Sequence, residues 1–96
     1  MKRVAVAVLI GNSDDKLKQS EWAEFAHQMF TAIYSTHGAR IRFRGFSESS
    51  QPLQNACWVV EIYEDALSDM KSRLKEVSVK FRQDSVAVLH GQIELI

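Results

Sequence analysis

The chain has 96 residues, 12 of them basic and 12 acidic, so it is expected to form one domain with a formal charge of zero. A free-standing nucleic-acid binder carries a basic surplus, because affinity follows the number of phosphates neutralised, and no surplus exists here. Apolar residues at 46% and charged residues at 25% are the balance of a soluble globule and not of a disordered tail, although a domain this small buries only about 60–65% of its unfolded surface and gains from a partner subunit.

The first predicted element is a strand over residues 3–10, where Val4 to Ile10 run apolar without interruption, as in a central strand covered on both faces. With Lys2 and Arg3 ahead of it, this run has the outline of a secretory leader. Seven apolar residues are the lower limit for such a core, and Gly11-Asn12-Ser13-Asp14-Asp15 follows without a small-x-small cleavage site. The run is also far short of the roughly 20 residues that span a bilayer. The single Cys57 can neither close an intramolecular disulfide nor hold zinc without neighbouring ligands. A cytoplasmic chain with no membrane attachment is expected.

After a polar loop from Gly11 to Lys18 the period changes from two to 3.6. Trp22, Phe25, Ala26, Met29, Phe30 and Ile33 form one stripe of a helix, with Ser20 as its expected N-cap and Gly38 placed to end it in a left-handed conformation. Residues 40–46 alternate, so Ile41 and Phe43 should point one way and Arg40, Arg42 and Arg44 the other. A polar connection containing Pro52 leads to a strand over residues 57–63, with Trp58, Val60 and Ile62 opposite Cys57, Val59, Glu61 and Tyr63. Residues 66–81 carry Leu67, Met70, Leu74, Val77 and Phe81 at helical spacing, with Asp69–Arg73 and Glu76–Lys80 as acid-first i,i+4 pairs. Val86 to Leu89 is the last expected strand, continued through Ile93 to Ile96 after a break near Gly91.

This order predicts an α+β, ferredoxin-like βαββαβ domain over residues 1–96, a four-stranded antiparallel sheet with two helices on one face. Right-handed crossovers are expected to put the first and last strands at its centre. The opposite face should expose apolar atoms of the first strand beside Arg40, Arg42, Arg44 and Tyr63, and homodimerisation is the direct way to cover them.

Ser20-Glu21-Trp22-Ala23-Glu24-Phe25, together with Lys80-Phe81-Arg82-Gln83-Asp84-Ser85-Val86-Ala87-Val88-Leu89, resembles an uncharacterised family of small bacterial α+β domains. The similarity spans nearly the whole chain and rests on structural positions. It implies the fold and carries no activity with it. Members of that family tend to have an export signal ahead of the domain, which is not expected here, and a Pro-Asp-Gly turn after the first helix, where this chain has Thr36-His37-Gly38.

The expected function is that of a small non-catalytic protein-interaction module, homodimeric, binding a partner protein as an inhibitor or regulator would. Its expected contact surfaces are the sheet face with Arg40, Arg42, Arg44 and Tyr63, and the acidic segment Glu61, Glu64, Asp65 and Asp69. No cofactor, catalytic residue or metal ligand is expected. One alternative is nucleic-acid or anionic-ligand binding on the three arginines. Arg44-Gly45-Phe46 is similar to the glycine-aromatic core of RNA-recognition modules, but those stack bases on aromatics of both central strands and the first strand here has none. A small nuclease-like enzyme is another, since Ser13-Asp14-Asp15-Lys16 is similar to the acidic stretch after the first strand of small dimeric nucleases of prokaryotic immunity. Two-metal chemistry needs several converging carboxylates, however, and only Asp14 and Asp15 offer themselves. His27 and His37 read as local helix histidines. His90 and Cys57 are the groups left for an enzymatic reading, provided the strands bring them together.

Overall fold

A computed structural model describes residues 2–46, 54–91 and 96. In chain order these form β1 (Arg3–Gly11), a 3-10 turn (Ser13–Asp15), α1 (Gln19–Tyr34), β2 (Arg40–Phe46), β3 (Asn55–Tyr63), a second 3-10 turn (Glu64–Ala66), α2 (Leu67–Lys80) and β4 (Ala87–Gly91). Pro52 of the expected connection and residues 92–95 of the expected continuation of the last strand lie outside the described residues, and Ile96 is not in a strand.

The four strands make one antiparallel sheet in the order β2-β3-β1-β4, with α1 and α2 on one face. This is the ferredoxin-like α+β fold. It corrects the expected position of the last strand, because β1 and β3 are central and β4 is an edge. Each βαβ unit, β1-α1-β2 and β3-α2-β4, crosses over by skipping one strand position, and the first strand of the other unit fills the gap. The two strands with the most continuous apolar runs therefore receive neighbours on both sides.

The long apolar run of β1 sorts into two faces. Val6, Val8 and Ile10 are buried under the helices with Trp58, Val60 and Ile62 of β3, while Ala5, Ala7 and Leu9 turn to the open face. From above, Phe25, Met29 and Ile33 of α1 and Met70 and Leu74 of α2 close the core. Phe25 packs on Phe81 with ring centroids 5.2 Å apart and edge-on to Trp22 at 5.9 Å. On α2, Val77 is only half-buried and Ser78 is buried in its place, so the helix is rotated slightly from its expected stripe.

The helix ends also differ from expectation. Lys18 is the N-cap of α1, its backbone N–H donating to the Glu21 carboxylate, and Ser35 rather than Gly38 closes the helix. Gly38 sits beyond it in the turn to β2 and is left-handed at φ +74°. Of the two expected helical ion pairs, Asp69–Arg73 forms at 3.0 Å, whereas Lys80 donates to Gln28 of α1.

Candidate interaction surface

The face of the sheet away from the helices is uncovered. Registers place its side chains in cross-strand rows: Arg40, Glu61, Ala5 and Gly91; then Phe43, Val59, Ala7 and Leu89; then Gly45, Cys57, Leu9 and Ala87. The second and third rows hold no charge. Phe43 and Leu89 stand at the two edges 58% and 60% exposed, with Val59 and Ala7 between them.

The β2 register shifts between Ile41 and Phe43, which leaves Arg42 as the extra residue of a bulge. Side chains alternate with a period of two, so one inserted residue exchanges the faces of everything after it. This corrects the expected arginine face. Ile41 faces the helices opposite Val60, but Phe43 lies on the open face opposite Val59. Arg44 lies opposite Trp58 on the helix side, where it lines a groove with Trp22, His27, Phe30 and Phe46. Only Arg40 and Arg42 remain at the charged end of the open face, and they are joined by Arg3, which the sequence reading did not single out.

At that end Arg42 grips Glu61 through two hydrogen bonds, Nε to Oε1 at 2.9 Å and Nη2 to Oε2 at 3.2 Å. The bond from Arg42 holds the Glu61 carboxyl below the usual carboxylate range, helped by the charges of Arg42, Arg3 and Arg40. Reciprocally, hydrogen bonding to Glu61 raises Arg42. Tyr63 stands beside them under the Arg3 guanidinium, whose central carbon is 4.2 Å from the ring centroid. The Arg3 Nη1 also donates to the Gly38 carbonyl at 3.2 Å, and the His37 ring stacks on Tyr63 with centroids 6.5 Å apart.

The acidic segment does not converge on one surface. Glu61 is committed to Arg42, Glu64 lies 3.7 Å from Lys2, and Asp69 is paired with Arg73 on α2, which leaves Asp65 exposed in the 3-10 turn. His90 stands opposite Val6 and so on the helix side of the sheet, whereas Cys57 and Tyr63 are on the open face. These three groups do not share a site. Asp14 and Asp15 are exposed, both in left-handed backbone conformations, and among the described residues no three His, Cys, Asp or Glu side chains come together as a metal would require.

Sequence reasoning missed the residues that hold the loops at the far end of the sheet. Asn12 Nδ2 donates to the Leu17 carbonyl at 2.9 Å and to Gln54 Oε1 at 2.6 Å, and Asn12 Oδ1 accepts from the Leu17 N–H at 3.0 Å. The buried Gln83 accepts from the Ser13 N–H at 2.8 Å and donates to the Phe81 carbonyl at 3.0 Å. The positions of Asn12 and Gln83 in otherwise polar turns gave no local signal of these partners.

The sheet order, the helices on one face and the uncovered opposite face define a ferredoxin-like α+β domain. The chain matches no family model and no curated protein. Among solved structures it is similar to a de novo designed protein, at 8% identity and TM-score 0.70, covering 97% of this chain and all of that one. It is also similar to an unknown protein from Galdieria sulphuraria, at 11% identity and TM-score 0.60, with 95% of this chain covering 50% of that one. The ACT domain of a GTP pyrophosphokinase from Chlorobium tepidum matches at 11% identity and TM-score 0.53, covering 92% of this chain and 95% of that domain. Likeness at these identities concerns the fold, which hosts many functions and specifies none. No helix among the described residues is long and apolar enough to cross a membrane.

Proposed function

We propose that this chain is a non-catalytic interaction module that pairs with a second copy of itself through the open sheet face. The observation that carries this reading is the pair of uncharged rows across all four strands, edged by exposed Phe43 and Leu89. Contiguous apolar surface of this kind marks an interaction site. Four strands about 4.8 Å apart, the central two rising about 3.3 Å per residue, make a face of at most roughly 20 by 30 Å, about 600 Å², which is below the ~800 Å² per partner of a standard stable complex and within the range of smaller interfaces. A second copy is a fitting occupant because the charges are confined to one end of the face, so a two-fold pairing that reverses the strand direction keeps the two charged ends apart and sets uncharged rows against each other.

In this reading Arg40, Arg42, Glu61 and Tyr63 set the register of docking, and a regulator or inhibitor acting in the cytoplasm is the role that suits a small paired module. Anionic-ligand binding on the arginines is less well supported. Arg44 is on the other face, Arg42 is neutralised by Glu61, and the central strands offer Tyr63 alone as a stacking aromatic, already covered by Arg3.

Light scattering tests the reading. The wild-type protein is expected at the mass of two chains at tens of micromolar, and Phe43→Glu and Val59→Glu, both on the open face, at the mass of one chain with an unchanged circular dichroism spectrum. A single-chain mass for the wild type at that concentration would overturn it.

A further inference from the structure

The two edges of the sheet are protected very differently. β2 carries Arg40, Arg42 and Arg44 and the bulge at Arg42, both of which keep an edge from accepting another strand. β4 carries neither device: Ala87-Val88-Leu89-His90-Gly91 has no Lys, Arg, Asp, Glu or Pro, and its register with β1 runs without interruption. Among the described residues β4 pairs only with β1, so its outer backbone groups face no other strand. Alongside this edge, on the helix side, a groove of about 470 Å³ runs between β4 and α2, floored by Leu74, Val79, Val86 and Val88. Val79 is 66% exposed although it is apolar. Lys71 and Lys75, one helical turn apart, stand along the same groove, and no carboxylate among the described residues lies within salt-bridge distance of either. Among the described residues that line the groove Asp84 is the one acid, and it is paired with Lys16 at 3.0 Å.

We propose that the β4 edge and the α2 groove form a second docking site, separate from the open face, which takes an extended acidic segment of a partner protein as a fifth strand. Backbone hydrogen bonds to β4 supply affinity, and alternate side chains of the added strand fall to the two sides of the sheet. Apolar residues on one side fill the groove over Val88 and Leu74, and flanking carboxylates meet Lys71 and Lys75. A second copy of this chain is the wrong occupant here. Two-fold pairing of β4 with β4 would set two α2 helices side by side on one face of the joined sheet and oppose the lysines of each to those of the other.

The test uses fluorescein-labelled peptides EDVTITVED and KKVTITVKK with the full chain. The acidic peptide is expected to bind, to shift amide resonances of β4 and α2, and to slow hydrogen exchange along β4. Lys71→Glu/Lys75→Glu should weaken that binding by on the order of tenfold and bind the basic peptide in its place. Phe43→Glu should leave binding of the acidic peptide intact, which separates this site from the pairing of open faces. Absence of binding, equal binding by wild type and the charge-reversed variant, or shifts centred on β2 would overturn the proposal. So would β4 exchange protection that rises with protein concentration in the Phe43→Glu variant without peptide, since open-face pairing is removed there and the occupant of the β4 edge would then be a second copy.

Discussion

Gly38 is restricted twice. Its φ of +74° disfavours any side chain, and a Cβ there would lie 2.6 and 2.7 Å from ring carbons of Tyr63. Gly38→Ala is expected to cost about 1–2 kcal/mol from backbone conformation alone, and more because the Tyr63 ring must leave its place under Arg3. In a Tyr63→Ala background the same change should cost only the backbone part, and a double-mutant cycle by urea denaturation reads the difference. Two carboxylates allow a second prediction at this scale. Glu61 is held below the usual range chiefly by the Arg42 hydrogen bond, and Glu21 chiefly by the Lys18 N–H, with Arg82 assisting. A carboxyl depressed in the folded state binds fewer protons than in the unfolded chain. Its stabilisation is therefore present above the ordinary carboxylate pKa of about 4.3 and is lost as pH falls through the folded value. Glu61→Gln and Glu21→Gln should each flatten the decline of the unfolding midpoint on acidification below that value.

At the scale of elements, the alternation in β3 and the 3.6-residue period of α1 and α2 are local properties, and spacing alone puts residues such as Trp58, Phe25 and Leu74 on the buried face, whereas the uninterrupted apolar run of β1 does not say which of its faces is covered. The arginines of β2 are not placed by spacing either. Arg40, Arg42 and Arg44 alternate in sequence, but the bulge at Arg42 is a consequence of pairing with β3 and sends Arg44 to the opposite face. The connections are equally nonlocal. Gln83, in the turn after α2, satisfies the Ser13 N–H in the turn after β1. Gln83→Met keeps the volume but leaves that donor and the Phe81 carbonyl without their partner. A loss of about 1–3 kcal/mol is expected, read as a lower urea midpoint at constant slope together with faster exchange of the Ser13 amide.

For the whole molecule, a formal charge of zero is the sum of separated regions. Arg3, Arg40 and Arg42 gather around Glu61 at one end of the open face, Lys71 and Lys75 line the α2 groove, and the centre of the open face has no charge. Such segregation guides docking geometry more than it adds affinity. If two copies pair through that uncharged centre, association is part of the stability of the fold. The thermal midpoint of the wild type should then rise with protein concentration, and that of Phe43→Glu should not. A midpoint independent of concentration in both would count against pairing.

From the sequence alone came the number and kind of elements, the fold class, and the division of β3 into a buried and an open face, because all of these follow from periodicity within short windows. Only the tertiary structure decided that β4 is an edge, that the valines of β1 face the helices and its alanines the solvent, that His90 is separated from Cys57, and that Tyr63 packs on Gly38. Each depends on how distant strands register, and a shift of one residue in a pleated sheet exchanges its two faces. The opening balance of basic and acidic residues belongs to the first kind of knowledge, and the distribution of those charges over the surface to the second.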